Sequence, residues 1–292
     1  MLLSELLNLR PDEDVVKIVN ERAFDRFART TSRTKGSVCV YVMSANYLST
    51  IPDNAVMVIT SPEIAETIED TTFGICISRD PKATYFRMFN VAAVLFEKKK
   101  CPTRIGKDCV ISKNAIIADT NVVIEDNVVI EDSVIIYQNV TIGRGSVIRA
   151  GAKIGVQDYN YYNDGSDWVH LHHFGSLQIG RGVEIGYNSV VGIALYPGDE
   201  TIIGDGTKIG HLAVIGHDDK IGKHVLIYDG CMLGGYVSIG DNTHVTLNSS
   251  VKNGLVLGEN AQIDMASAVI RDVSAGQTVF GNPAKRLIIP NT

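Results

Sequence analysis

The chain has 292 residues, enough for one large domain or two moderate ones. Its 27 Lys and Arg against 33 Asp and Glu leave a formal charge of -6, which argues against a broad polyanion-binding surface and so against nucleic acid as a partner. Apolar residues make up 45% and aromatic ones 7%, which excludes disorder and points to a core of small aliphatic side chains.

The start, MLLSELLNLRPDEDVVK, lacks a basic region and meets Glu5 too early for a signal segment, and no run of 18 apolar residues follows. The five Cys are odd in number and free of CxxC spacing, so neither a disulfide framework nor a zinc knuckle is indicated. A cytoplasmic protein without a membrane span is expected.

Residues 1–103 read as a compact α/β module. SVCVYV (38–43), NAVMVIT (54–60) and FGICIS (73–78) are short β-branched runs of strand length. Ser61-Pro62 and Asp80-Pro81 each offer an N-cap oxygen followed by Pro at the first helical position. The second opens a helix through PKATYFRMFNVAAVLFEKKK, whose basic end suits a helix C-terminus.

From Ile105 onward a six-residue repeat takes over. Twelve consecutive hexads run without a slip from Ile203 through Ile209, Ile215 and Ile221 to Ile263 and Val269. An earlier block runs from Ile105 to Ile154 with one slip of a single residue, and a short one holds Ile179, Ile185 and Val191. A period of six fits neither an amphipathic helix nor a hairpin sheet. It fits a chain that turns one aliphatic residue inward on each flat face and then rounds a corner at Gly, Asn or Asp. Three faces make a coil of 18 residues, so residues 18 apart lie above one another at about 4.8 Å.

The region 104–273 is thus a solenoid, with insertions at 156–178 (VQDYNYYNDGSDWVHLHHFGSLQ) and 192–202 (GIALYPGDETI) and a tail at 274–292. In a repeat protein such insertions carry binding surfaces. The stacking rule places His217, third in the hexad of Ile215, one coil from Gly235, third in the hexad of Leu233. An imidazole beside an exposed glycine amide suits acyl transfer to an amine, which needs a base near neutrality and a donor for an oxyanion. A His at a solvated corner is the plainer alternative.

The stretches GSDWVHLHHFGSLQIGRGVEIGYNSVV and ETIIGDGTKIGHLAVIGHDDKIGKHVLIYDGCMLGG resemble the UDP-3-O-acylglucosamine N-acyltransferases of lipid A biosynthesis. The resemblance implies a left-handed parallel β-helix preceded by a small α/β nucleotide-binding-like domain, and a homotrimer. It further implies His217 as general base, the Gly235 amide as oxyanion donor and Gly234 beside the acyl donor. In the segment YVMSANY it puts Tyr41 and Tyr47 against the nucleotide base, although Tyr41 could equally be buried by its strand. Trp168 and His173 in the aromatic insertion are the remaining substrate-binding candidates.

Several departures redirect the expectation. The family's aspartate that supports the histidine falls on Gly192, and Asp218, Asp219, Asp199 and Glu200 are the candidate replacements. The tail ends AGQTVFGNPAKRLIIP, and GNPAK resembles the closing loop of coenzyme A-dependent hexapeptide acetyltransferases, implying Asn282, Pro283, Ala284 and Lys285 at the cofactor. The expected activity is therefore N-acylation of a nucleotide-linked amino sugar by a coenzyme A thioester, with a 3-hydroxyacyl or acetyl group. The alternatives are the lipid A enzyme with acyl carrier protein and a zinc protein of the γ-carbonic anhydrase kind. No pair among His211, His217, His224 and His244 is 18 or 36 residues apart, so no metal is expected.

Overall fold

The computed structural model describes residues 1–30, 35–69, 72–95 and 100–281. They form two compact units, one of residues 1–98 with 159–172 and the other of 99–158 with 173–292.

The first unit is a five-stranded sheet whose three central strands, Val38–Val42, Ala55–Thr60 and Gly74–Ser78, are the three short runs expected. They pair in parallel, and Val15–Val19 closes one edge antiparallel to Gly74–Ser78. Both helix starts follow the capping argument. Ser61 Oγ accepts the Ile64 amide at 3.4 Å ahead of Pro62–Ala65, and Asp80 Oδ1 accepts the Ala83 amide at 3.0 Å ahead of Pro81–Leu95. Most of the basic run expected to close the long helix lies outside the described residues.

The second unit is a left-handed parallel β-helix of three sheets with nine, eight and eight strands. Between Ile203 and Val269 the rule of 18 holds: Lys208 pairs with Leu226, Ile227 with Val245, and Ile239 with Leu257. In the first coil the spacing is 19, Val110 pairing with Val129, which is the slip seen in the repeat. The inward aliphatic residues make one continuous core from Val122 to Val273. Corners need the left-handed region, which Asn242 (φ 56°) and Gly230 (φ 71°) adopt at low cost.

Some boundaries move. The coil runs to Val156 and resumes at Ser176, so the first insertion is shorter than 156–178. Its middle, Tyr161–Asn163 paired with Trp168–His170, is a hairpin that belongs to the first unit and not to the solenoid. Asn90 explains why: its Nδ2 donates to the His170 carbonyl at 2.6 Å and its Oδ1 accepts the His172 amide at 3.2 Å. Arg87 adds an ion pair with Asp164. The second insertion ends where strand Glu200–Ile203 begins. Thr278–Val279 pairs with Gln262–Ile263, so the coil continues past 273 into the expected tail.

Candidate active site

His217 and Gly235 meet as the 18-residue coil requires. A Cβ built on Gly235 would stand 2.4 Å from His217 Cε1, 2.6 Å from Nδ1 and 2.7 Å from Nε2, so any side chain there would collide with the imidazole. Gly216 is open for the same reason on the other strand: a Cβ there would lie 2.6 Å from the Gly235 nitrogen.

The Gly235 amide is also electronically free. At the same hexad place His211 and Lys223 give their amides to Asp229 and Asp241 one coil on, each at 2.7 Å. The residue 18 beyond Gly235 is Asn253, and among the described residues the Gly235 amide meets no acceptor. A buried N–H left open is costly unless something binds it.

The histidine has a carboxylate partner that the sequence reading missed. Asp158 Oδ2 accepts both the His217 amide at 2.7 Å and the ring Nδ1–H at 2.6 Å. The acceptor fixes the tautomer: Nδ1 carries the hydrogen and Nε2 keeps its lone pair. Both side chains are mostly shielded, 14% exposed for His217 and 21% for Asp158.

Three of the four candidate partners are engaged elsewhere: Asp218 Oδ2 accepts the Leu195 amide at 2.8 Å, Asp219 is turned into the coil, and Glu200 accepts from Ser176 Oγ at 3.5 Å. Gly192 makes room for Asp158. A Cβ on Gly192 would stand 2.7 Å from Asp158 Oδ1 and 3.0 Å from the His217 nitrogen. The signal was present in the register: Val156 pairs with Gly192, and Asp158 is the first acid where the chain leaves the coil.

Two rings wall the imidazole. Tyr236 lies edge-on at 4.9 Å and His173 edge-on at 5.1 Å. Tyr236 holds φ 65°, the left-handed corner conformation that the same hexad place takes at Leu212 and His224. His173, expected at the substrate, is only 5% exposed and serves as wall. It arrives from the insertion and not from the coil, so the spacing rule applied to His211, His217, His224 and His244 does not cover it. Donor atoms of Asp158, His173 and His217 lie within 4.8 Å of one another, a His2Asp set of zinc-ligand type. The 2.6 Å between Asp158 Oδ2 and His217 Nδ1 is a hydrogen-bond distance. Two donors at about 2.1 Å on a tetrahedral ion stand roughly 3.4 Å apart.

The other expected residues are dispersed. Tyr41 is packed on Tyr85 (4.7 Å) and Phe86 (6.3 Å), and burial raises the pKa of its hydroxyl, so its strand holds it in an aromatic cluster. Tyr47 is 57% exposed on the 3-10 turn Ala45–Thr50, and Trp168 is 63% exposed on the hairpin of the first unit. Gly234 passes close to Asn253, where a Cβ would stand 2.7 Å from its nitrogen. Asn282, Pro283, Ala284 and Lys285 lie outside the described residues.

Asp218 supplies a test of the local electrostatics. Burial pushes its carboxyl up from 3.8 to about 6, against the pull of the Leu195 N–H and of His217. A folded-state pKa above the unfolded one gives stability that is full below pH 3.8 and lost as pH rises through about 6. Asp218→Asn keeps an acceptor for Leu195 and removes the charge. It is expected to stabilise the fold by up to roughly 3 kcal/mol at pH 7.5 and by little at pH 3.5, read by urea melts. An equal gain at both pH values would contradict the assignment.

Comparison with known proteins agrees with the fold. Residues 121–155 match the bacterial transferase hexapeptide (six repeats), and residues 236–270 the hexapeptide repeat of succinyl-transferase. Both stretches of the solenoid thus carry hexapeptide repeats of the bacterial transferase kind. Among solved structures, UDP-N-acetylglucosamine acyltransferase of Francisella novicida is 28% identical over 59% of this chain and 64% of its own, with TM-score 0.39. The Arabidopsis enzyme of that name is 24% identical over 61% and 67%, with TM-score 0.49. That of Bacteroides fragilis is 22% identical over 59% and 64%, also with TM-score 0.49. The chain thus spans just under two thirds of the Francisella and Bacteroides chains. No curated protein matches it. No helix among the described residues is long and apolar enough to cross a membrane.

Proposed function

We propose that this protein is an acyltransferase that moves an acyl group from a coenzyme A thioester to the amine of a nucleotide-linked amino sugar. The observation that carries the reading is an imidazole oriented by Asp158 against a glycine amide that meets no acceptor among the described residues. The amine lone pair attacks the thioester carbonyl carbon, a C–N bond forms, and the amine proton passes to His217 Nε2. The Gly235 N–H stabilises the oxyanion. The intermediate collapses by C–S cleavage, and the imidazolium returns the proton to the leaving thiolate. Asp158 stays ionised and holds the imidazolium.

The choice of an amine and of a nucleotide-linked sugar rests on the sequence resemblance, as does a cytoplasmic homotrimer. Coenzyme A in place of acyl carrier protein rests on the GNPAK segment. Tyr47 and Trp168, with open rings, are the residues we assign to the nucleotide and sugar by stacking.

A thiol-release assay tests this reading. UDP- and dTDP-linked amino sugars are paired with acetyl-, 3-hydroxybutyryl- and long-chain donors on both carriers. Thiol release that depends on the amino sugar and consumes its amine is expected with a coenzyme A donor. Release only with the carrier-protein donor would return the lipid A reading. No release with any pair, together with stoichiometric zinc in the protein, would turn the Asp158, His173 and His217 set into a metal site.

A further inference from the structure

The fifth place of each hexad faces the inside of the solenoid. Thr207, Ala213, Val225, Cys231, Val237 and Thr243 occupy it in successive hexads, and all are buried. Where the occupant is Ser or Thr, its hydroxyl bridges to the next coil. Thr207 Oγ1 donates to the Gly222 carbonyl at 2.8 Å and accepts the Val225 amide at 3.1 Å; Ser249 Oγ donates to the Asp264 carbonyl at 3.0 Å and accepts the Ser267 amide at 3.4 Å. The coil carrying His217 breaks this rule with Asp219, fully buried and without surface exposure.

An ionised carboxylate only accepts, and here it accepts twice. Asp219 Oδ1 takes the Val237 amide at 2.8 Å, as a Thr would, but Oδ2 takes the Gly216 amide at 3.0 Å. That second bond has a consequence for the ladder. In the neighbouring hexads the second-place amide donates to the first-place carbonyl one coil on: Gly210 to Ile227 at 2.7 Å, Gly222 to Ile239 at 2.8 Å, Gly234 to Val251 at 2.9 Å. Gly216 should by this pattern donate to Leu233. Its amide goes to Asp219 instead. The strand pair keeps Val214 against Met232 and lacks the pairing of Ile215 with Leu233, whereas the pairs on either side of it in that sheet show both rungs.

We propose that Asp219 is a positioning residue: its buried carboxylate removes one rung between the coil that carries His217 and the coil that carries Gly235. The missing rung pairs Ile215 with Leu233, which stand two residues before each of those two groups. Opening it lets the imidazole sit over Gly235 while Val237, two residues beyond, stays tied to the same carboxylate. The cost is an acid held in the core, where burial raises the pKa of this carboxyl well above its ordinary value. The solenoid elsewhere meets the same place with a hydroxyl or an aliphatic group, so stability alone does not call for an acid. The catalytic part of this inference rests on the acyl-transfer reading above; the part about the rung does not.

The test is Asp219→Thr, which restores the common occupant, with Asp219→Asn as the isosteric control. A crystal structure of the Thr variant is expected to show the Gly216 amide donating to the Leu233 carbonyl. Its Tm is expected to equal or exceed that of the wild type, while kcat falls roughly 10- to 100-fold with KM nearly unchanged, the signature of a displaced catalytic pair. A residue that only filled space would lower Tm and leave kcat of the folded protein intact. A rung still open in the Thr variant, or a closed rung with wild-type kcat, overturns the proposal. Should the Thr variant fail to fold, the Asn variant decides: reduced kcat at native Tm supports the role, and wild-type kcat removes it. Full turnover in His217→Ala would defeat the acyl-transfer reading by itself, and the rung would still report on Asp219.

Discussion

His217→Ala is expected to lower kcat by about 1000-fold in the thiol-release assay, within the range a general base supplies, and to leave Tm within a few degrees of the wild type. The fold should tolerate the change because the ring contributes little to the aliphatic core, which passes through Ile215 and Leu233 on the inside of the coil. The remaining rate would come from the Gly235 amide and from substrate binding, which the variant retains. Exogenous imidazole should restore part of the turnover, since the cavity bounded by Tyr236, His173 and Gly235 would be left with the shape of the missing ring. An Ala variant with unimpaired kcat removes His217 as the base.

The pairing of His217 with Gly235 could be read before any coordinates because it depends only on the coil length, and the coil length is written in the spacing of Ile203 to Val269. The helix starts at Pro62 and Pro81 were legible for a similar reason: capping is a local matter between an oxygen and an amide three residues on. Asp158 was not legible in the same way. It sits where the chain leaves the solenoid, and the path of an insertion is decided by contacts such as those of Asn90 with the hairpin, not by a period. Asp219 was visible only as one acid of the pair that follows His217. Its place in the hexad identifies it as inward, but the rung it removes is a property of the hydrogen-bond ladder, which a sequence does not print.

Gly192 is the mark that the absent carboxylate left in the sequence, and it leads to a reciprocal experiment. In the resembling family an aspartate stands at this position; here a glycine does, and Asp158 reaches into the vacated space from the preceding coil. The backbone at Gly192 is outside the left-handed region, so glycine is required there by space and not by conformation. Asp158→Ala is expected to reduce kcat by on the order of 100-fold, because the imidazole loses both its tautomer and its orientation. Gly192→Asp alone is expected to be harmful too, since its Cβ would stand 2.7 Å from Asp158 Oδ1 and two carboxylates would share one site. Joined in one protein, the two changes should compensate, the carboxylate introduced at 192 supporting His217 from the other side, with kcat recovering at least 10-fold over Asp158→Ala. That sign reversal is a coupling only two groups competing for one place can produce. A double variant no better than the worse single one would show that the position of Asp158, and not merely its charge, is what His217 needs.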